Sequence, residues 1–238
     1  MSLVAGHQPN LYPYGGFFAK MAVADKFVIV DNVQYVKKQY QNRNRIRLLS
    51  GEAVWLSIPV KNAGRFGQSI NEVEIDNSLG WREKHRKTIV WNYRKAPCFD
   101  FIFPELDALL SREWNRLADF NIEFIRICAG KLKINTPLLI ASEEKISGVA
   151  TDLILDICLK TGSEAYLHGR HSLDYVDFKH MEEAGIQSYI QDFNQQAYKQ
   201  LADGFEPNLS ILDIMFNCGS DSRDILLKSN SVTNKVIP

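Results

Sequence analysis

The stretch SLVAGHQPNLYPYGGFFAKMAVADKFVIVD, residues 2–31, decides the fold class. Residues 2–6 form a short apolar run, residues 15–24 (GGFFAKMAVA) favour helix, and residues 26–31 (KFVIVD) form a second apolar run ending on Asp31. Short apolar runs bounded by turn residues read as buried strands, so this is a β-α-β unit with a parallel pair. Between strand and helix, residues 8–16 hold two prolines, which withhold backbone donors, and a glycine pair, which lets the backbone approach something closely. Open α/β sheets bind ligands at this carboxyl end of their strands. His7 and Asn10 are therefore candidates to stabilise charge there, with Gln8 and Tyr14 as ligand contacts.

Working outward, residues 34–47 (QYVKKQYQNRNRIR) mix amides, tyrosines and cations, residues 53–60 (AVWLSIPV) read as a strand, and residues 70–76 (INEVEID) alternate like a half-exposed strand. Together they predict an antiparallel excursion from the parallel sheet. The linker 61–68 (KNAGRFGQ) has two glycines and two cations, suited to a loop that closes over an anion or to a plain hairpin loop. From residue 78 the period becomes helical. Ser78 is placed to cap a helix over 81–95, and further helices follow near 101–110, 114–132 and 149–161.

Residues 164–169 and 186–193 read as strands flanking a helix over 173–185, a second α/β unit behind a helical middle. Helices over 207–219 and 222–228, the second capped by Ser220 or Asp221, precede ten polar residues expected to be loose. The expected fold is one α/β domain over 1–238, with a Rossmann-like, mostly parallel sheet, an antiparallel insertion and a helical sub-region around 81–161.

Composition bounds the function. A chain of 238 residues with 45% apolar content can bury a substantial core. No apolar run approaches the roughly 18 residues of a membrane span, and no basic segment with an apolar h-region opens the chain. A soluble, cytoplasmic protein is expected. Cys98, Cys128, Cys158 and Cys218 are far apart with no CxxC pair, so reduced thiols are expected and no metal site. Net charge is zero but unevenly divided: residues 1–100 hold 15 Lys and Arg against 8 Asp and Glu, residues 101–238 hold 13 against 20. The first half should attract anions.

Several clusters can meet such an anion. Gln34, Tyr40, Asn42, Arg43, Asn44 and Arg45 are rich in directional hydrogen-bonding groups, and Arg suits phosphate or carboxylate. Lys61 adds a cation. Trp81, Lys84 and His85 share one helical line that can wall an anionic ligand, although His85 reads equally well as a surface residue. Glu206 can serve as a general base or bind an amine, and Asn208 can contact the ligand or act as an N-cap. The turn 168–172 (HGRHS) also falls at a strand end, and His168 with His171 lacks a third metal ligand nearby. Tyrosines interleaved with cations suit single-stranded nucleic acid, but a net charge of zero argues against it.

Strand, His7-x-x-Asn10, then helix resembles the HxGH-type loop of nucleotidylyltransferases and class I aminoacyl-tRNA synthetases, which makes a fold of that HUP-like kind one expectation. Pro9 stands where that loop has glycine, and no KMSKS-type partner is found. A fuller resemblance is carried by His7-Gln8-Pro9-Asn10 with Gly16-Phe17-Phe18, Val30 to Gln34, Tyr40 to Ile46, Ile75-Asp76-Asn77, the Trp81 to Pro97 helix and Phe205 to Asp213. With these motifs the chain resembles the WbqC-like proteins over nearly its whole length.

That resemblance implies a role in surface polysaccharide synthesis, O-antigen in particular, as an enzyme that transfers an acyl or aminoacyl group to a nucleotide-linked amino sugar. It leaves the cofactor open, with ATP and Mg as a candidate, and the partner as that sugar or another small anion. On this reading His7 and Asn10 stabilise a charged transition state, Arg43, Arg45 and Lys61 hold phosphates, and Asp31 or Glu206 manages protons or the amine. The alternatives are a non-catalytic nucleotide- or glycan-binding module and a single-strand nucleic-acid binder.

Overall fold

The computed structural model describes residues 1–61 and 63–234. Asn62 of the 61–68 linker and residues 235–238 of the polar end lie outside them. Eight strands and eight α-helices alternate: β1 (Leu3–His7), α1 (Gly15–Val23), β2 (Lys26–Ile29), β3 (Arg43–Arg47), β4 (Ala53–Ser57), α2 (Trp81–Tyr93), α3 (Phe103–Ser111), α4 (Leu117–Lys131), β5 (Leu138–Ile140), α5 (Thr151–Thr161), β6 (Ala165–His168), α6 (Phe178–Glu183), β7 (Gln187–Phe193), α7 (Ile211–Cys218), α8 (Ser222–Lys228) and β8 (Asn230–Asn234) among the described residues.

Six strands form one sheet in the order β5-β2-β1-β6-β7-β8, parallel except for β8. The parallel part has the order of a doubly wound sheet, which reverses direction at its first strand. β1 pairs with β2 on one side, Ala5 opposite Phe27, and with β6 on the other, Ala5 opposite Leu167. Successive strand residues face opposite sides, and the two cores show it. Ala5, Phe27, Ile29 and Leu167 pack on one face with α1, α4 and α7. Val4, Val28, Val30 and Tyr166 pack on the other with Ile154, Ile157 and Cys158 of α5 and Met181 of α6.

The antiparallel excursion is present but differently paired. β3 pairs with β4, Arg45 opposite Trp55, as a separate two-stranded ribbon. Residues 70–76 are not its partner strand. Ile70–Glu72 make a 3-10 turn in which the Ser69 N–H donates to Glu72 Oε2 at 2.9 Å, and Glu74 and Ile75 make isolated bridges to Arg116 and Val60 rather than a ladder. Local capping there competes successfully with strand pairing. Ser78 does not cap α2. Its N–H and hydroxyl donate to Asp76, and α2 begins after Gly80, whose φ of 58° ends the preceding turn. Ser220 and Asp221 likewise give α8 no side-chain cap, and Ser210 rather than Asn208 caps α7 by accepting from the Leu212 N–H at 3.2 Å.

Three strands were not legible as such, β3 among them. β5 is three residues long, and the polar β8 pairs backbone to backbone against β7 within the segment expected to be loose.

The ribbon is fastened by a buried network around Asp213, which is 1% exposed. Its carboxylate accepts from the Tyr93 and Tyr198 hydroxyls, both at 2.7 Å, and from Gln200 Nε2 at 2.8 Å. Arg47 of β3 donates to Gln200 Oε1 at 2.6 Å and to the carbonyls of Ala202, Asp203 and Gly204. Removing a buried carboxylate strands several donors at once. Asp213→Ala is expected to lower unfolding stability by about 3 kcal/mol with an unchanged urea m-value. A loss below about 0.5 kcal/mol in equilibrium denaturation would show that the network is not holding the ribbon.

Candidate active-site crevice

Where the strand order reverses, the carboxyl ends of β1, β6 and β7 border a crevice of about 670 Å³. His7 and Gln8 follow β1, His168 to Ser172 follow β6, and Gln191, Asp192 and Phe193 end β7. Tyr14, Gly16 and Phe17 come from the start of α1 and Lys20 from its last turn, and Leu153, Ile154 and Ile157 of α5 supply an apolar wall. Gly6 is needed in the floor, because a Cβ there would lie 2.8 Å from the Tyr166 hydroxyl.

Three nitrogen groups meet in this floor. His7 Nδ1 lies 2.9 Å from the Gln8 carbonyl. A carbonyl only accepts, so Nδ1 carries the proton and Nε2 keeps its lone pair. Burial, then the nearby charge of Lys20, holds the His7 pKa down at about 4. Lys20 is 5% exposed and donates to the Gly6 carbonyl at 3.1 Å, and among the described residues no carboxylate pairs with it. Burial alone lowers its pKa to about 8. His168 is 1% exposed, its Nε2 lies 3.2 Å from Ser188 Oγ, and its buried Nδ1 has no hydrogen-bond partner. Burial and Lys20 take its pKa to about 3.

The surroundings hold this floor in place. Gln191 Nε2 donates to the Gly16 carbonyl at 2.9 Å and to Asn230 Oδ1 at 2.8 Å, tying β7 and β8 to the start of α1. The only carboxylate in the lining, Asp192, is held at the rim by Arg170 at 3.2 Å. The crevice therefore presents donors and positive or protonatable groups without a free counter-charge, an arrangement that receives an anion. Among the described residues no cluster of three or more His, Cys, Asp or Glu side chains could hold a metal ion.

Of the residues singled out in the sequence, His7, Gln8 and Tyr14 line the crevice, and Asn10 does not. Gln8 Oε1 accepts from Gln41 Nε2 at 2.7 Å. Several others are committed elsewhere. Asp31 is 3% exposed and accepts from the Ser142 N–H at 3.0 Å and hydroxyl at 2.6 Å, so it braces the ends of β2 and β5. His85 is not a wall of the site: 1% exposed, it donates from Nε2 to the Ser57 carbonyl and accepts the Tyr12 hydroxyl on Nδ1, both at 3.1 Å. Trp81 is core, and Lys84 points to solvent.

Asn44 donates to the Leu11 and Tyr12 carbonyls at 3.1 and 2.8 Å, pinning the 8–14 loop to β3, and Asn42 donates to the Ile58 carbonyl. Glu206 pairs with Arg45 at 3.2 Å, and Lys61 pairs with Glu74 at 3.2 Å, so neither cation is free for phosphate. Gln34 makes an isolated bridge to Ser69, and the Asn208 N–H donates to Gln195 Oε1. Tyr40 and Arg43 lie on the open face of the ribbon.

Lys20, Tyr166 and Gln191 of the crevice escaped the sequence reading. One signal was available for Lys20, which is the only charged residue in 2–24.

A doubly wound α/β protein with a crevice at its switch point is the class that this fold defines. The chain belongs to the WbqC-like protein family, whose model matches residues 8–225. It is 33% identical over 228 residues, 95% of this chain and 98% of the relative, to the uncharacterized protein Rv1507c of Mycobacterium tuberculosis. No solved structure matches significantly, and no helix among the described residues is long and apolar enough to cross a membrane.

Buried neutral histidines make stability depend on pH. With folded values of about 4 for His85 and about 3 for His168 against 6.5 unfolded, the unfolded state gains protons first on acidification. Stability is full above the unfolded value and falls as pH drops toward the folded ones, by about 2 kcal/mol per histidine between about pH 7 and pH 5. Urea denaturation over that range should show His168→Gln losing about that much less than the parent chain, and an identical pH slope would contradict the buried neutral imidazole.

Proposed function

We propose that the crevice is the active site of a transferase that places an acyl or aminoacyl group on the amine of a nucleotide-linked amino sugar, in surface polysaccharide synthesis of the O-antigen type. The observation that carries this reading is the pairing of Lys20, a buried cation without a carboxylate, with His7, whose bonding leaves Nε2 free to accept a proton. Family membership supplies the setting.

Amide formation needs both groups. The sugar amine attacks the carbonyl of an activated acyl donor, a C–N bond forms and the carbonyl oxygen becomes an oxyanion. Lys20 Nζ, beside the Gly6 carbonyl at the end of β1, is suited to stabilise that charge, and His7 Nε2 to take the proton released by the amine. His7 is a weak base in the empty crevice, and the negative charge that develops raises its affinity for the proton. Collapse of the intermediate breaks the bond to the leaving group, which departs with the proton from His7. His168 Nδ1 is positioned to bond a polar group of either substrate.

Of ATP with Mg, the residues present suit the phosphates rather than the ion. The crevice offers an amine, imidazoles and a guanidinium, and its single carboxylate is engaged by Arg170. No step of the reading depends on either.

Turnover of a nucleotide-linked amino sugar with a thioester, ester or adenylate donor tests the reading. The free enzyme should need neutral His7 and protonated Lys20, so kcat/KM is expected to fall below about pH 4 and above about pH 8. His7→Gln should cost about 10²–10³-fold. Lys20→Met should cost a similar factor and abolish the alkaline limb. Absence of transfer across such donors and acceptors, or Lys20→Met with parental rate and pH profile, would refute the proposal.

A further inference from the structure

The open face of the β3–β4 ribbon has chemistry that the crevice does not use. Trp55 is 43% exposed and Tyr40 46%, and their rings lie 5.8 Å apart. The Arg43 guanidinium stacks over Trp55 at 4.1 Å, and its buried Nε has no hydrogen-bond partner. Residues 34–47 contain Lys37, Lys38, Arg43, Arg45 and Arg47 and no acid. Arg45 is paired with Glu206 and Arg47 is bonded into the 200–204 loop, which leaves Lys37, Lys38 and Arg43 without carboxylate partners among the described residues. Aromatic faces beside uncompensated cations recognise a planar ring that carries negative charge.

The ribbon is continuous with the crevice. The Leu11 N–H donates to the Tyr40 carbonyl at 2.9 Å, Gln41 Nε2 to Gln8 Oε1 at 2.7 Å, and Gln8 lines the crevice. Burial and, second to it, the nearby phenol of Tyr40 raise the pKa of Tyr14, another lining residue.

We propose that this face seats the nucleoside diphosphate of the substrate, its base stacked on Trp55 and Tyr40 and its phosphates met by Arg43, Lys37 and Lys38, so that the attached sugar points toward Gln8 and His7. This rests on the transferase reading and names the part of the substrate that determines selection. Arg43 then acts in binding rather than in the chemical step.

Calorimetric titration of the full chain with uridine diphosphate, inorganic pyrophosphate and an unstructured oligonucleotide decides the matter. Uridine diphosphate should bind more tightly than pyrophosphate. Its Kd should rise about tenfold in Trp55→Leu and in Arg43→Ala. His7→Gln and Trp91→Leu, the latter an exposed tryptophan on α2, should leave it unchanged. Melting curves identify any variant that fails to fold, and Tyr40→Leu provides an independent probe of the same face. Parental affinity in folded Trp55→Leu, Tyr40→Leu and Arg43→Ala would overturn the assignment, as would preference for the oligonucleotide with a steep salt dependence. Binding with these effects but no transfer would leave the subsite standing and remove the transferase reading. Transfer with an unchanged KM in Trp55→Leu would do the opposite.

Discussion

Parallel pairing of β1 on both sides is the constraint on which the site depends. Because β2 and β6 flank the same strand, the chain leaves β1 over one face through α1 and returns to β6 over the other through α5. The two layers part above the end of β1, and a crevice forms there without requiring a loop to open. Gly6 leaves room in the floor for the Tyr166 hydroxyl, which a Cβ there would approach to 2.8 Å.

The same geometry accounts for the electrostatics. Lys20 lies on the sheet-facing side of α1, where it meets the Gly6 carbonyl and the Tyr166 ring and pairs with no carboxylate among the described residues. Leaving an ammonium so placed costs solvation free energy, which appears as its lowered pKa, and its charge helps keep both neighbouring imidazoles neutral. An arriving anion relieves all three groups. On the proposed reading, the cost in the empty protein is the source of selectivity for negative charge. The ribbon, fastened by Asn44 to the 8–14 loop and by Arg47 and Tyr93 to the Asp213 network, holds a second cationic surface at fixed distance from the first.

The β-α-β start, the second α/β unit and the position of His7 were legible because each rests on local apolar patterning and on where parallel strands must end. Residues 70–76 misled because Ile70, Val73 and Ile75 are all buried, and a reciprocal cap from Ser69 and Glu72 gives them a turn rather than an alternating strand. Polar residues proved harder to assign than elements. Asp31, Asn44 and His85 have the chemistry of site residues, yet their partners Ser142, Leu11 and Ser57 are supplied by segments distant in sequence. Lys20 posed the converse difficulty, because a lone lysine in a short helix ordinarily marks a solvent face. Only the packing of α1 on the sheet shows it buried.

The central claim is that the crevice binds an anion through a lysine that is partly deprotonated when empty. Calorimetric heats for a non-hydrolysable acyl-adenylate analogue, an anionic donor for the crevice, measured near pH 8 in buffers of different ionisation enthalpy, test it directly. With Lys20 at about 8 in the free protein and fully charged in the complex, binding should take up about half a proton, and Lys20→Met should abolish the uptake. Binding with heats independent of the buffer in the parent chain would contradict the account.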